Sequence, residues 1–167
     1  MRYLSWILMA LFVSMPGFAD PIAIKNARVP VDGVLSGGQP DRAQIEAAGK
    51  AGYKTVINLR TEAESGFEWE AEAVESAGMR YVHLPIAGGR DLTREKVEAF
   101  AGALDGALAR GPVLLHCGSG NRIGALFALR SAWLEERPAE TALEFGRASG
   151  LTSLEPRVRE LLGLQAP

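Results

Sequence analysis

The sequence predicts an α/β domain built on a mostly parallel sheet, and three observations carry that prediction. Short β-branched or apolar runs alternate with longer helix-forming segments. The run Val113-Leu114-Leu115 shows no alternation, the pattern of a strand covered on both faces by helices. Beyond Ile123 the chain reads as helix after helix, giving a helical C-terminal third. The 167 residues fit one compact domain, and 47% hydrophobic against 23% charged residues excludes a disordered or fibrous chain. A net charge of −2 with no basic run excludes a surface that tracks nucleic-acid phosphates. Two His and one Cys exclude a Cys/His zinc site and an internal disulfide, and neither metal nor cofactor is expected.

The elements follow in order. Arg2 precedes an eleven-residue, almost wholly apolar run, 3–13, which is broken at Pro16 and followed by small residues at Gly17 and Ala19. That is the pattern of a secretory signal peptide, residues 1–19, cleaved after Ala19. The apolar run is too short to span a bilayer comfortably. Removing it takes Arg2 away, leaving a mature domain, 20–167, with net charge −3. The expected compartment is a periplasm, with no membrane contact after cleavage; a lone Cys in an oxidising compartment invites a chemical role.

Residues 20–30 show no period. Residues 31–36 read as a short strand, Gly37-Gly38-Gln39-Pro40 as a turn, and 41–51 as a helix closed near Gly52. Residues 54–59 form a β-branched strand, 62–77 a Glu- and Ala-rich helix closed by Gly78, and 80–86 a further strand. Thr93 can cap a third helix whose Val97, Phe100, Ala101, Leu104 and Leu108 share one face. The strand beginning at Val113 follows Gly111-Pro112. Residues 123–134 are apolar almost all round, which predicts a deeply buried helix. Helices near 139–148 and 153–162 complete the chain, and Trp69, Phe127 and Trp133 are expected in the core.

Chemistry concentrates in His116-Cys117-Gly118-Ser119-Gly120-Asn121-Arg122-Ile123-Gly124. A strand, a Gly-rich loop and a helix N-terminus make an anion site, with backbone N–H groups and the helix dipole supplying positive potential. Gly118 and Gly120 let the main chain approach a ligand closely. Cys117 opens the loop, in an electropositive setting that favours a nucleophilic thiolate. Arg122 closes it with a planar fork suited to two oxygens of an oxyanion.

This loop resembles the active-site loop of the cysteine-dependent protein tyrosine phosphatases, in particular the dual-specificity branch. Ser36-Gly37-Gly38-Gln39-Pro40, Thr55-Val56-Ile57-Asn58-Leu59-Arg60 and Tyr81-Val82-His83-Leu84-Pro85 extend the likeness to a bacterial phosphatase-like family, the domain found beside β-lactamase-type hydrolases. The resemblance implies that Cys117 forms a phosphocysteine and that the backbone of Gly118, Ser119, Gly120, Asn121 and Arg122 cradles phosphate. It also implies that Arg122 clamps the phosphate and that His116 holds the loop and helps keep Cys117 ionised. The substrate would be a phosphorylated molecule or another oxyanion.

Two departures keep alternatives open. Four residues separate Cys117 from Arg122, where the phosphatases place five; four is the spacing of rhodanese sulfurtransferases, whose cysteine carries a persulfide. Ile123 stands where the phosphatases place Ser or Thr, and Ser119 is the nearest substitute hydroxyl. A third reading is an idle anion-binding or redox-sensing module. A phosphatase also needs a general acid, and Asp91, on the loop after the strand 80–86, occupies the corresponding place. Arg60, at the end of its strand, can line the same carboxyl-end crevice, but a surface ion pair is the favoured expectation.

Overall fold

The computed structural model describes residues 22–165. The expected signal peptide, 1–19, lies outside the described residues. Four strands form one sheet in the order β1-β4-β2-β3: β1 (Val34–Gly37), β2 (Thr55–Asn58), β3 (Arg80–His83) and β4 (Val113–His116). Every pairing is parallel. The strands are joined and flanked by α1 (Arg42–Lys50), α2 (Glu70–Ser76), α3 (Arg94–Leu108), α4 (Asn121–Trp133), α5 (Ala139–Ala148) and α6 (Glu155–Leu161).

Local chemistry sets these boundaries. Asp41 caps α1 through a reciprocal box with Gln44: the Asp41 carboxylate accepts from the Gln44 amide and Gln44 Oε1 from the Asp41 amide, both at 2.8 Å. Thr93 caps α3 as its position in the sequence predicts, accepting from the Lys96 amide. The helix expected over 62–77 begins only at Glu70. The preceding residues are a loop, because Gly66 turns at φ +93° and Glu64 bonds its own backbone at Thr61. The Ser65-Gly66 pair is a turn signal that outweighs the helix propensity of the surrounding Glu and Ala.

Two apolar layers sandwich the sheet. Ile45, Ala48, Val56, Val74 and Leu114 pack under α1 and α2 on one face; Ile57, Leu115, Phe100, Leu126 and Phe127 pack under α3 and α4 on the other. Phe100, Phe127 and Phe145 meet edge to face, at 5.4 and 5.6 Å between centroids, tying α3, α4 and α5 together. α4 is buried almost all round, as its composition predicts, while Trp69 and Trp133 lie at the margins of the two layers.

The strand order positions the site. The chain steps outward from β1 to β2 to β3, then returns through α3 to insert β4 between β1 and β2. Successive connections therefore leave the sheet on opposite sides next to the carboxyl end of β4, which opens a crevice there. Cys117 is the first residue beyond that end.

Candidate active site

The loop 117–120 is held by a segment that shows no period in the sequence. Gly38 and Ser119 form an isolated antiparallel bridge, and Asn26 Nδ2 donates to the Ser119 carbonyl at 3.0 Å. With that carbonyl turned outward, the same peptide plane turns the Gly120 N–H inward, where it donates to Cys117 Sγ at 3.1 Å. Gly120 achieves this at φ +94°, a left-handed conformation that a side chain would strain. Cys117 itself is 1% exposed, so its sulfur is reached only through the loop. The N-terminus of α4, thirteen residues long, points its free amides and dipole at the same concavity.

Arg122, on the first turn of α4, reaches back across the carboxyl edge of the sheet. Its Nη1 donates to the Leu59 and Ile86 carbonyls at 3.3 and 2.9 Å and to Glu64 Oε1 at 2.6 Å; Nη2 donates to Glu64 Oε2 at 2.8 Å. Both Nη groups are thus engaged by Glu64 and the two carbonyls, and the guanidinium also interacts with Cys117 across the loop. Burial works against the Arg122 charge, but Glu64 and Cys117 more than offset it and raise its pKa above the ordinary value. The hydrogen bond from Arg122 pulls the Glu64 carboxyl down to about 2, against burial and aided by the Thr61 amide and Arg60. Glu64 is a site residue that the sequence reading passes over inside a supposed helix. A carboxylate on the loop after a strand end, opening on the same crevice as an arginine, is the signal that could have found it.

His116 lies beneath the loop, fully buried against Glu70, with Nε2 2.5 Å from Glu70 Oε1. The contact fixes the ring from below. Asn121 contributes its backbone to the loop, but its side chain faces away: Oδ1 accepts from Thr152 and Leu154, and Nδ2 donates to Ser153 Oγ at 2.7 Å. Ser119 and Gly118 are exposed at the mouth. Ile123 is fully buried in the larger apolar cluster. Asp91 ends a single 3₁₀ turn, Gly89–Asp91, and its Oδ2 accepts from the Ala87 amide at 2.8 Å. Its loop joins the site through Ile86, whose carbonyl Arg122 holds. Arg60 departs from expectation: it is no surface pair. Only 13% of its side chain is exposed, and it donates to Gln39, Glu64 and the Ser65 carbonyl, because the 59–69 loop folds it inward over the sheet edge.

A four-stranded parallel sheet with a cysteine at the end of its inner strand, followed by a Gly-rich turn and an arginine at the start of a buried helix, defines a protein-tyrosine-phosphatase-like domain. A family model for the phosphatase-like domain of β-lactamase hydrolase-like proteins matches residues 28–133, and the chain belongs to that family. A β-lactamase hydrolase-like protein of Xylella fastidiosa (strain Temecula1) is 35% identical over 96 residues, covering 55% of this chain and 22% of that protein. One of Agrobacterium fabrum is 34% identical over 118 residues, covering 68% and 26%. The chain thus spans about a quarter of the length of these relatives. Among solved structures, a candidate phosphatase (DUF442) from Shewanella putrefaciens superposes with a TM-score of 0.63 at 26% identity, covering 84% of this chain and 90% of that one. P. aeruginosa TpbA, solved in complex with pTyr, shares the fold at a TM-score of 0.60 and 19% identity, covering 78% and 77%.

Proposed function

We propose that the protein is an exported cysteine-dependent phosphatase that hydrolyses a phosphomonoester through Cys117, residues 1–19 serving as a periplasmic signal and being removed. One observation carries the reading: a Gly120 amide aimed at the Cys117 sulfur, with Arg122 anchored at the other end of the same loop. In this mechanism the Sγ–P bond forms as the P–O bond to the leaving alcohol breaks, and Asp91 gives that oxygen its proton. The loop amides and Arg122 stabilise the charge that develops on the non-bridging oxygens. Water then gives a proton back to Asp91 and attacks phosphorus, the P–Sγ bond breaks, and phosphate leaves with the thiolate and the protonated Asp91 restored. No metal enters this scheme.

The four-residue interval between Cys117 and Arg122 favours a second reading, in which Cys117 accepts a sulfane sulfur as a persulfide. Parallel assays separate the two. The reduced mature domain is tested with p-nitrophenyl phosphate and phosphotyrosine, and with thiosulfate plus cyanide. The phosphatase reading expects phosphate release that Cys117→Ser abolishes and no thiocyanate. Thiocyanate formation without phosphate release overturns it.

A further inference from the structure

Between His116, just before the nucleophile, and Arg122, which closes its loop, an unbroken line of side-chain hydrogen bonds runs outside the loop itself. Glu70 Oε1 meets His116 Nε2; Glu70 Oε2 accepts from Gln39 Nε2 at 2.9 Å. Gln39 Oε1 accepts from Arg60 Nη1 at 2.8 Å, and Arg60 Nε donates to Glu64 Oε2 at 3.4 Å. Glu64 holds Arg122 with both oxygens. Glu70 and His116 are both 0% exposed. A carboxylate buried on the first residue of a helix is costly unless every oxygen is bonded, and here Asn58 Nδ2 adds a further donor at 3.3 Å. Among the described residues His116 Nδ1 is buried with no partner, so the ring's hydrogen bonding there rests on Glu70.

We propose that Glu70 and Gln39 are positioning residues that couple the base of the cysteine loop to its arginine. The inference rests on Cys117 and Arg122 being the reacting pair. Neither residue touches the concavity; they act by holding His116 and Arg60 in register, so that the loop amides and the guanidinium face one point. Gln39 is suited to the middle position because its amide presents a donor to Glu70 and an acceptor to Arg60 at once. A carboxylate or hydrocarbon there cannot do both. The 37–40 turn, which also bridges Ser119 through Gly38, and the 59–70 loop, which also carries Glu64, are thereby joined to the base of the site.

The test uses the mature domain with Glu70→Gln, Gln39→Met, Glu64→Gln and the double variant Glu70→Gln/Glu64→Gln. Glu72→Gln, half a turn along α2 on its exposed side, serves as the control. Two quantities are read: turnover of p-nitrophenyl phosphate, and the rate of Cys117 alkylation by iodoacetamide at pH 6, which requires no catalysis. Glu70→Gln keeps the shape and can still accept from Gln39 and Asn58, but its amide NH2 group then meets His116 Nε2 and forces that nitrogen to be the acceptor, removing the carboxylate that sets the ring's tautomer. The expected result is a loss of about 10–100-fold in kcat with little change in KM, and slower alkylation. Gln39→Met interrupts the line without contacting His116 or Arg122, and moves both readings the same way by a smaller factor; it also decides the matter where Glu70→Gln fails to fold. The double variant should cost about as much as the worse single one, since both cut one line; multiplying losses would mean independent sites. Folded Glu70→Gln and Gln39→Met with wild-type kcat and alkylation rates overturn the proposal. A wild-type domain that releases no phosphate sinks the functional reading instead, and the alkylation comparison still decides the coupling.

Discussion

Replacing Gly124 by alanine adds one methyl group where α4 lies closest to the turn after α5. The new Cβ would overlap the Leu151 backbone nitrogen, stand 2.6 Å from the Leu151 Cα and 2.7 Å from the Gly146 carbonyl oxygen. These are backbone atoms with no rotamer to escape into, so helix and turn must part by about 1 Å to regain normal packing. Overpacking costs about 1–3 kcal/mol, and an all-backbone collision belongs at the upper end. At about 2–4 °C per kcal/mol for a domain of this size, Tm should fall by roughly 6–12 °C. Because Arg122 lies half a turn before Gly124, a shift of about 1 Å at the clamp should also reduce kcat on the order of 10²-fold. Gly102→Ala is the matched comparison: that glycine is exposed in mid-α3 with nothing within 4 Å of its would-be Cβ. There the same methyl should stabilise by about 0.5–1 kcal/mol. Thermal unfolding followed by circular dichroism, with turnover measured on the same samples, checks both. Wild-type Tm and kcat in Gly124→Ala would refute the argument that backbone contact at this glycine sets the position of α4.

Arg122→Lys keeps the charge but loses the two-pronged hold on Glu64, so it should cut kcat nearly as far as Arg122→Ala, and phosphate should no longer shield Cys117 from alkylation; equal shielding in wild type and both variants would mean that the anion sits elsewhere. Asp91→Asn should lower turnover of an alkyl phosphate by about 10²–10⁴-fold and affect an aryl phosphate far less; the same small loss on both would make Asp91 only the partner of the Ala87 amide. Glu64 has a folded-state pKa pulled down to about 2 from an ordinary 4.5. Its contribution to stability is therefore complete above about pH 4.5 and is lost as pH falls towards 2. After solvent screening that contribution is about 1–2 kcal/mol. Urea midpoints at pH 6 and pH 3 should converge between wild type and Glu64→Gln at the lower pH; a gap that persists would contradict the sign.

The parallel sheet, the close of α1 near Gly52, the cap of α3, the all-round burial of α4 and the 116–124 loop were legible because each is encoded over adjacent residues. Periodicity, a capping side chain and a strand–Gly–helix pattern are short-range signals. The residues that aim the loop were not, because each acts at long range from an uninformative stretch. Asn26 lies in a segment without period; Glu64 and Glu70 sit among the Glu-Ala residues of 62–77, where helix propensity masks an ion pair and a buried bond. Arg60 reads as a surface charge because nothing in the local sequence reports that the 59–69 loop folds it inward over the sheet edge. Ile123, which lacks the hydroxyl expected at that position, is fully buried in the larger apolar cluster.

The bond from Asn26 to the Ser119 carbonyl joins residues 93 apart in the chain, while Arg122 and Glu64 are 58 apart and His116 and Glu70 are 46 apart. Contacts of such high sequence separation carry the largest loop-closure cost and are made late in folding. The nucleophile's surroundings are thus a property of the whole domain rather than of a nine-residue motif, and no peptide excised around Cys117 would reproduce them. The converse is a linkage: an oxyanion that binds only the assembled loop stabilises every segment that contributes to it. At a phosphate or vanadate concentration of about 100 times Kd, the global unfolding free energy should rise by about 2.7 kcal/mol. The strands far from the site should then resist hydrogen exchange as much as the loop does.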